Sequence, residues 1–234
     1  MNDAALPEIF FNHLPEPVII PAGGIPLRGT LTLPPDPVGI VMFAHGSGSS
    51  RLSSRNQFVA KTLVSANLGT LLFDLLSEGE ESERANVFDV ELLAGRLRHA
   101  TDWIAARPAT ARLPIGYFGA STGAAAALVA AAQNPRVRAI VSRGGRPDLA
   151  GDFLPDVSAA TLLIVGGADQ AVLAVNRTAY ERLGGIKRLE VVPGATHLFE
   201  EPGALEAVAA LARLWFLDQL GRTTVVGSRV EAVR

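Results

Sequence analysis

The chain has 234 residues, 48% of them apolar, with a formal net charge of −2 and no cysteine. That length and apolar content suit one domain with a sizeable core. The near-zero charge gives no electrostatic basis for nucleic-acid or anionic-membrane partners, and the missing thiols exclude disulfides, thiolate metal sites and a cysteine nucleophile.

In chain order, residues 1–15 read as an irregular lead-in. The opening MNDAALPEIF has acidic side chains and neither a basic stretch nor an apolar run, so no secretion signal is expected and a cytoplasmic location is. Residues 16–21 and 25–33 read as short strands joined by Ala22-Gly23-Gly24, an antiparallel hairpin. Residues 39–44, GIVMFA, form an apolar run suited to a strand buried on both faces. A Ser- and Gly-rich loop follows. A helix is expected over 55–67, with Phe58, Leu63 and Val64 inward and Ser53 or Ser54 as N-cap. Residues 70–75 read as a buried strand and 77–86 as a polar, acidic loop. An amphipathic helix over 89–107 stops at Pro108. His99 lies within it, beside Arg96 and Arg98, on a face expected to be solvated.

Residues 115–118 read as a buried strand, followed after a sharp turn by an alanine-rich helix ending at 132; 123–132 is the most apolar stretch of the chain yet far too short to span a bilayer. Strands are expected over 137–141, 161–165 and 189–192. A short helix is expected over 149–154. Another over 172–183 should be capped by Gly184-Gly185, and a long closing helix runs over 202–221. Residues 222–234 read as a loose tail. Apolar strands alternating with helices predict a single α/β domain over 1–234, with a mostly parallel central sheet and helices on both faces.

Between the strand at 115–118 and its helix stands Gly119-Ala120-Ser121-Thr122-Gly123. A G-x-S-x-G turn between strand and helix lifts a serine hydroxyl clear of the sheet on a strained backbone. Ligands of such sheets bind at the carboxyl ends of strands. Three chemically able residues follow strands there, in the order Ser121, Asp169, His197. A serine hydroxyl is a weak nucleophile, so a base must take its proton. Neutral imidazole suits that task, and an acid fixes its tautomer. His197 is therefore the candidate base and Asp169 the orienting acid, with Asp148 as its rival.

His45-Gly46-Ser47-Gly48-Ser49-Ser50 closes the GIVMFA strand. It lacks the lysine and spacing of a phosphate-binding P-loop. Its backbone can instead turn toward Ser121. The N–H groups of Ser47 and Thr122 are then the expected oxyanion donors, acting through backbone so that their side chains should matter little.

HGSGSS after a strand, GASTG, GGADQ and GATH, in this order, resemble the α/β-hydrolase superfamily. The short layout over residues 16–220, with no large lid domain, looks most like the dienelactone hydrolase family. Narrow-sense members of that family use a cysteine nucleophile, where this chain has Ser121. The resemblance implies a three-layer hydrolase fold and a serine esterase acting on small carboxyl esters or lactones through an acyl-enzyme. The triad does not separate this from an acyltransferase or a peptidase, and the fold alone also admits a non-catalytic ligand receptor.

No cofactor or metal is expected, and the oligomeric state, monomer or homodimer, is not readable. Arg143 and Arg146, just past a strand end, are candidates for holding a substrate carboxylate, as are Arg51 and Arg55 after the glycine loop. The plainer expectation is that these arginines pair with Asp148, Asp152 or the acidic run over 78–83.

Overall fold

The computed structural model describes residues 14–221; the expected lead-in, apart from Leu14 and Pro15, and the expected tail lie outside the described residues. Within them, β1 (Glu16–Ala22) and β2 (Ile25–Thr32) form the hairpin foreseen from Gly23-Gly24, whose φ values are both positive. β3 (Ile40–Ala44), β4 (Gly69–Phe73), β5 (Ile115–Ala120), β6 (Val137–Arg143), β7 (Ala160–Gly166) and β8 (Lys187–Val192) complete one eight-stranded sheet in the order β1-β2-β4-β3-β5-β6-β7-β8. β1 and β2 are antiparallel to their neighbours, and every other pairing is parallel.

The apolar runs are continuous because alternate residues serve opposite faces. In β3, Ile40, Met42 and Ala44 join one core cluster, while Val41 and Phe43 join the other. The first cluster is closed by α4 (Val90–Ala106), α5 (Thr122–Ala132), a 3-10 segment (Pro147–Asp156) and α6 (Gln170–Arg182); the second by α1 (Ser54–Val64) and α7 (Ala204–Leu220). The three layers are those of the α/β class. Among the described residues no helix is long and apolar enough to cross a membrane.

Several expectations change. In α1 the inward face is Asn56, Val59, Ala60 and Leu63, and Phe58 is exposed; the cap is Ser53, whose hydroxyl accepts the Asn56 N–H. The acidic stretch after Leu76 is not a loop but two short helices, α2 (Glu78–Glu81) and α3 (Arg84–Phe88). A capping box starts α2: Ser77 and Glu80 satisfy one another's backbone N–H groups. Glu80 is also held by Arg96, which is buried and donates to the Ala22 carbonyl, whereas His99 lies on an exposed face as expected. Gly184 and Gly185 do not cap α6 in the left-handed conformation. Glycine is required at 184 because a Cβ there would stand 2.2 Å from the Pro155 carbonyl oxygen.

Candidate active site

The carboxyl ends of β3, β5, β6, β7 and β8 share one edge, and Ser47, Ser121, Thr122, Arg146, Asp169 and His197 lie just beyond one of them; Arg143, expected past a strand end, is instead the last residue of β6, which runs two residues longer than the apolar run suggested. Ser121 sits between β5 and α5 with φ 51° and ψ −122°. For a non-glycine residue that conformation costs on the order of 1–3 kcal/mol. Neighbouring contacts hold it there. The Ser121 N–H donates to the Arg143 carbonyl, and its own carbonyl accepts from Ala124 and Arg146. The flanking glycines are steric necessities. A Cβ at Gly119 would meet the Ala124 backbone at 2.5 Å, and one at Gly123 the Ala44 carbonyl oxygen at 2.2 Å. The turn therefore presses against the loop after β3 with no room for side chains.

Asp169 has two tasks. It is the N-cap of α6, with Oδ1 accepting the Val172 N–H, and its Oδ2 lies 2.8 Å from His197 Nδ1. The helix cap and the contact to His197 thus share one carboxylate. The rival, Asp148, is occupied by Arg146 in a two-point pair at 2.9 and 2.7 Å, and those bonds hold its carboxyl below its ordinary pKa. His197 is brought to the elbow by the loop after β8. The ideal Cβ position of Gly144 lies 3.5 Å from His197 Nδ1, and Gly144 is one residue from the carbonyl that holds Ser121. Asp169 and His197 are thus in contact, whereas Ser121 Oγ makes no hydrogen bond to His197 among the described residues.

The loop after β3 lies against the elbow: a Cβ at Gly46 would be 3.0 Å from Ser121 Cβ. Thr122 is the first residue of α5, where a backbone N–H has no intrahelical acceptor. The Ser47 N–H differs from expectation. It donates to Thr122 Oγ1 at 3.0 Å, so the Thr122 side chain takes part in holding this loop.

His45 also does more than its sequence position suggested. Its Nε2 accepts the Leu75 N–H at 3.1 Å, which places the ring proton on Nδ1, donating to the Gly46 carbonyl at 3.0 Å. Desolvation of the ring lowers its pKa, favouring the neutral tautomer these bonds require. The loop is thereby tied to the segment leading into α2. Leu75, Leu76, Val87 and Leu93 close over its far side.

Of the four candidate arginines, three are engaged by carboxylates. Arg146 pairs with Asp148, Arg51 holds Asp74 through backbone and side chain, and Arg55 reaches Glu200 at 3.4 Å. The partners Asp74 and Glu200 were not among those foreseen. Arg143 is 7% exposed, and its side chain makes no ion pair among the described residues, with Nε buried and unbonded. Among the described residues no cluster of histidines and carboxylates could hold a metal ion.

No protein-family profile matches the sequence. A Mycobacterium tuberculosis protein, provisionally named a phosphoribosyl transferase in strains H37Rv and CDC 1551, is 64% identical over 207 residues, 88% of this chain. The chain spans about half the length of these curated relatives, 46%. Among solved structures, a dienelactone hydrolase from Anabaena variabilis superposes with a TM-score of 0.85 at 55% identity, over 88% of this chain and 99% of that one. Est1E from Butyrivibrio proteoclasticus superposes with a TM-score of 0.75 at 16% identity, over 88% and 99% of the two chains, a likeness of fold.

Proposed function

This chain belongs to the α/β-hydrolase superfamily, in the dienelactone hydrolase-like branch, and from that premise we propose that it is a serine hydrolase of small carboxyl esters or lactones. The observation that carries the reading is the 2.8 Å contact between Asp169 Oδ2 and His197 Nδ1, set beside a serine held on a strained turn.

In this mechanism Ser121 Oγ attacks the acyl carbonyl while His197 Nε2 takes its proton. Asp169 keeps the other ring proton on Nδ1 and stabilises the imidazolium that forms. The Thr122 N–H and the loop at Ser47 meet the developing oxyanion, helped by the positive end of α5. His197 then passes its proton to the leaving oxygen. Water activated by the same ring releases the acyl group and regenerates Ser121. That Ser121 Oγ and His197 share no hydrogen bond is no obstacle, since catalytic bonds of this kind tighten when substrate binds. A cytoplasmic location and a small-molecule substrate belong to this reading on sequence grounds.

Phosphoribosyl transfer, the name carried by the longer relatives, is assigned in this reading to the part of them that this chain does not span. The test is hydrolysis of p-nitrophenyl acetate by the wild type and by Ser121→Ala, His197→Ala and Asp169→Asn. Loss of at least about a thousandfold in kcat for the first two supports the triad. A wild type no faster than Ser121→Ala, together with no labelling of Ser121 by a fluorophosphonate, refutes catalysis and favours a binding protein.

A further inference from the structure

Arg143 is the one candidate arginine whose charge no described carboxylate answers. It ends β6, and its carbonyl holds the nucleophile's N–H. Its side chain lies on the α1 and α7 face, opposite Ser142, which faces Gly145 and Ala124. There the guanidinium stands 6.0 Å from the centre of the Phe199 ring. Phe199 is two residues past His197 and is held at φ 56°. The Nε of Arg143 is shut off from solvent and bonded to nothing. The charged group close to it is another cation, Arg55, in the first turn of α1, a turn with no acidic residue. Of the two carboxylates on the loop past Phe199, Glu200 is largely exposed and reaches Arg55, and Glu201, whose buried Oε2 has no bonding partner, makes no ion pair with Arg143.

A buried charge without a partner is costly, and a second like charge beside it, answered only by the exposed Glu200, adds to the cost. Burial and Arg55 together push the Arg143 pKa down to about 10, so the group remains a cation at neutral pH. Its donors form a planar fork suited to an oxyanion with two acceptor oxygens. The positive end of the eleven-residue α1 adds to the same field.

We propose that Arg143 and Arg55 form a binding site for a small oxyanion, a carboxylate or phosphate group, beside the loop that carries His197. The anion has two possible sources, a charged group on the ester substrate or a free anion that steadies the histidine loop. The substrate-borne case rests on the hydrolase reading above; the binding itself does not.

The experiment titrates inorganic phosphate and succinate calorimetrically into the full chain as wild type, Arg143→Met and Arg55→Gln. In parallel, kcat/KM is compared for mono-p-nitrophenyl succinate and neutral p-nitrophenyl butyrate. A free anion gives binding heat in the wild type that weakens at least tenfold in Arg143→Met and less in Arg55→Gln. A substrate-borne anion gives at least a tenfold preference for the charged ester, carried in KM, which collapses in both variants. Arg143→Met should melt no lower than wild type, since it removes an uncompensated charge; if it fails to fold, the half-exposed Arg55→Gln carries the comparison. No anion heat and no ester preference in the wild type overturns the site. Anion binding with neither ester turned over leaves the site standing and refutes only the hydrolase reading.

Discussion

Replacing Thr122 with valine keeps the shape of the side chain and deletes one atom's hydrogen bonding. Thr122 Oγ1 accepts the Ser47 N–H at 3.0 Å, a contact that ties the loop after β3 to the start of α5. Ser47 is exposed, so its freed N–H turns to water rather than being left buried without an acceptor. The loss is then the net value of one hydrogen bond, about 0.5–1.5 kcal/mol. For a domain of this size that lowers Tm by roughly 1–6 °C. On the proposed mechanism the catalytic effect is larger, because the bond that orders this loop beside Ser121 is lost. Deleting an oxyanion donor outright costs about a hundredfold to a thousandfold in kcat, and a donor merely let loose should cost about tenfold or more. Thermal melts and p-nitrophenyl acetate kinetics on Thr122→Val and Thr122→Ser read both effects. Thr122→Ser keeps the hydroxyl and should recover most of the rate. A valine variant with wild-type Tm and wild-type kcat would show that the hydroxyl does not position the loop.

Gly123→Ala places a Cβ 2.2 Å from one backbone carbonyl oxygen and 2.4 Å from the next, neither of which can rotate away. It should destabilise by at least the 1–3 kcal/mol typical of overpacking, read as a fall in Tm. Asp169→Asn should lower kcat by about ten-thousandfold while KM changes little, because the amide no longer fixes the tautomer of His197. His45 makes stability depend on pH. Its folded pKa lies below the ordinary 6.5, so between the two values the unfolded chain binds more protons than the folded one. Its contribution is complete above about pH 6.5 and is lost as pH falls through the folded value. Urea melts from pH 7.5 to 5 should show that decline, and His45→Gln should show less of it. Equal pH dependence in the two proteins would remove His45 as the cause.

The hairpin and the site order were readable because both depend on local chemistry. Gly23-Gly24 fixes the turn between β1 and β2. Ser121, Asp169 and His197 each follow an apolar strand, and a parallel sheet gathers such positions at one edge. What escaped depends on contacts distant in sequence. Ser47 and Thr122 are 75 residues apart, so a hydroxyl expected to be idle became the acceptor that holds the loop. The Arg146–Asp148 pair, two residues apart, matches the plainer expectation, whereas packing alone turns Arg143 into the α1 face. The two helices at α2 and α3 were legible in principle. Ser77 with Glu80 is a capping box, but the polar composition of the stretch masked it. Phe58 has helical spacing yet faces solvent, because the buried side of α1 is set by where the helix lies on the sheet.

The central claim is that Ser121 is a nucleophile activated by His197. The most direct measurement is intact-mass analysis of the full chain after exposure to a fluorophosphonate, on the wild type, Ser121→Ala and His197→Ala. The account predicts a single adduct in the wild type, mapped to Ser121 by peptide fragmentation, none in Ser121→Ala and labelling slowed at least about a thousandfold in His197→Ala. An unlabelled wild type, or an adduct on any other residue that persists in Ser121→Ala, would contradict it.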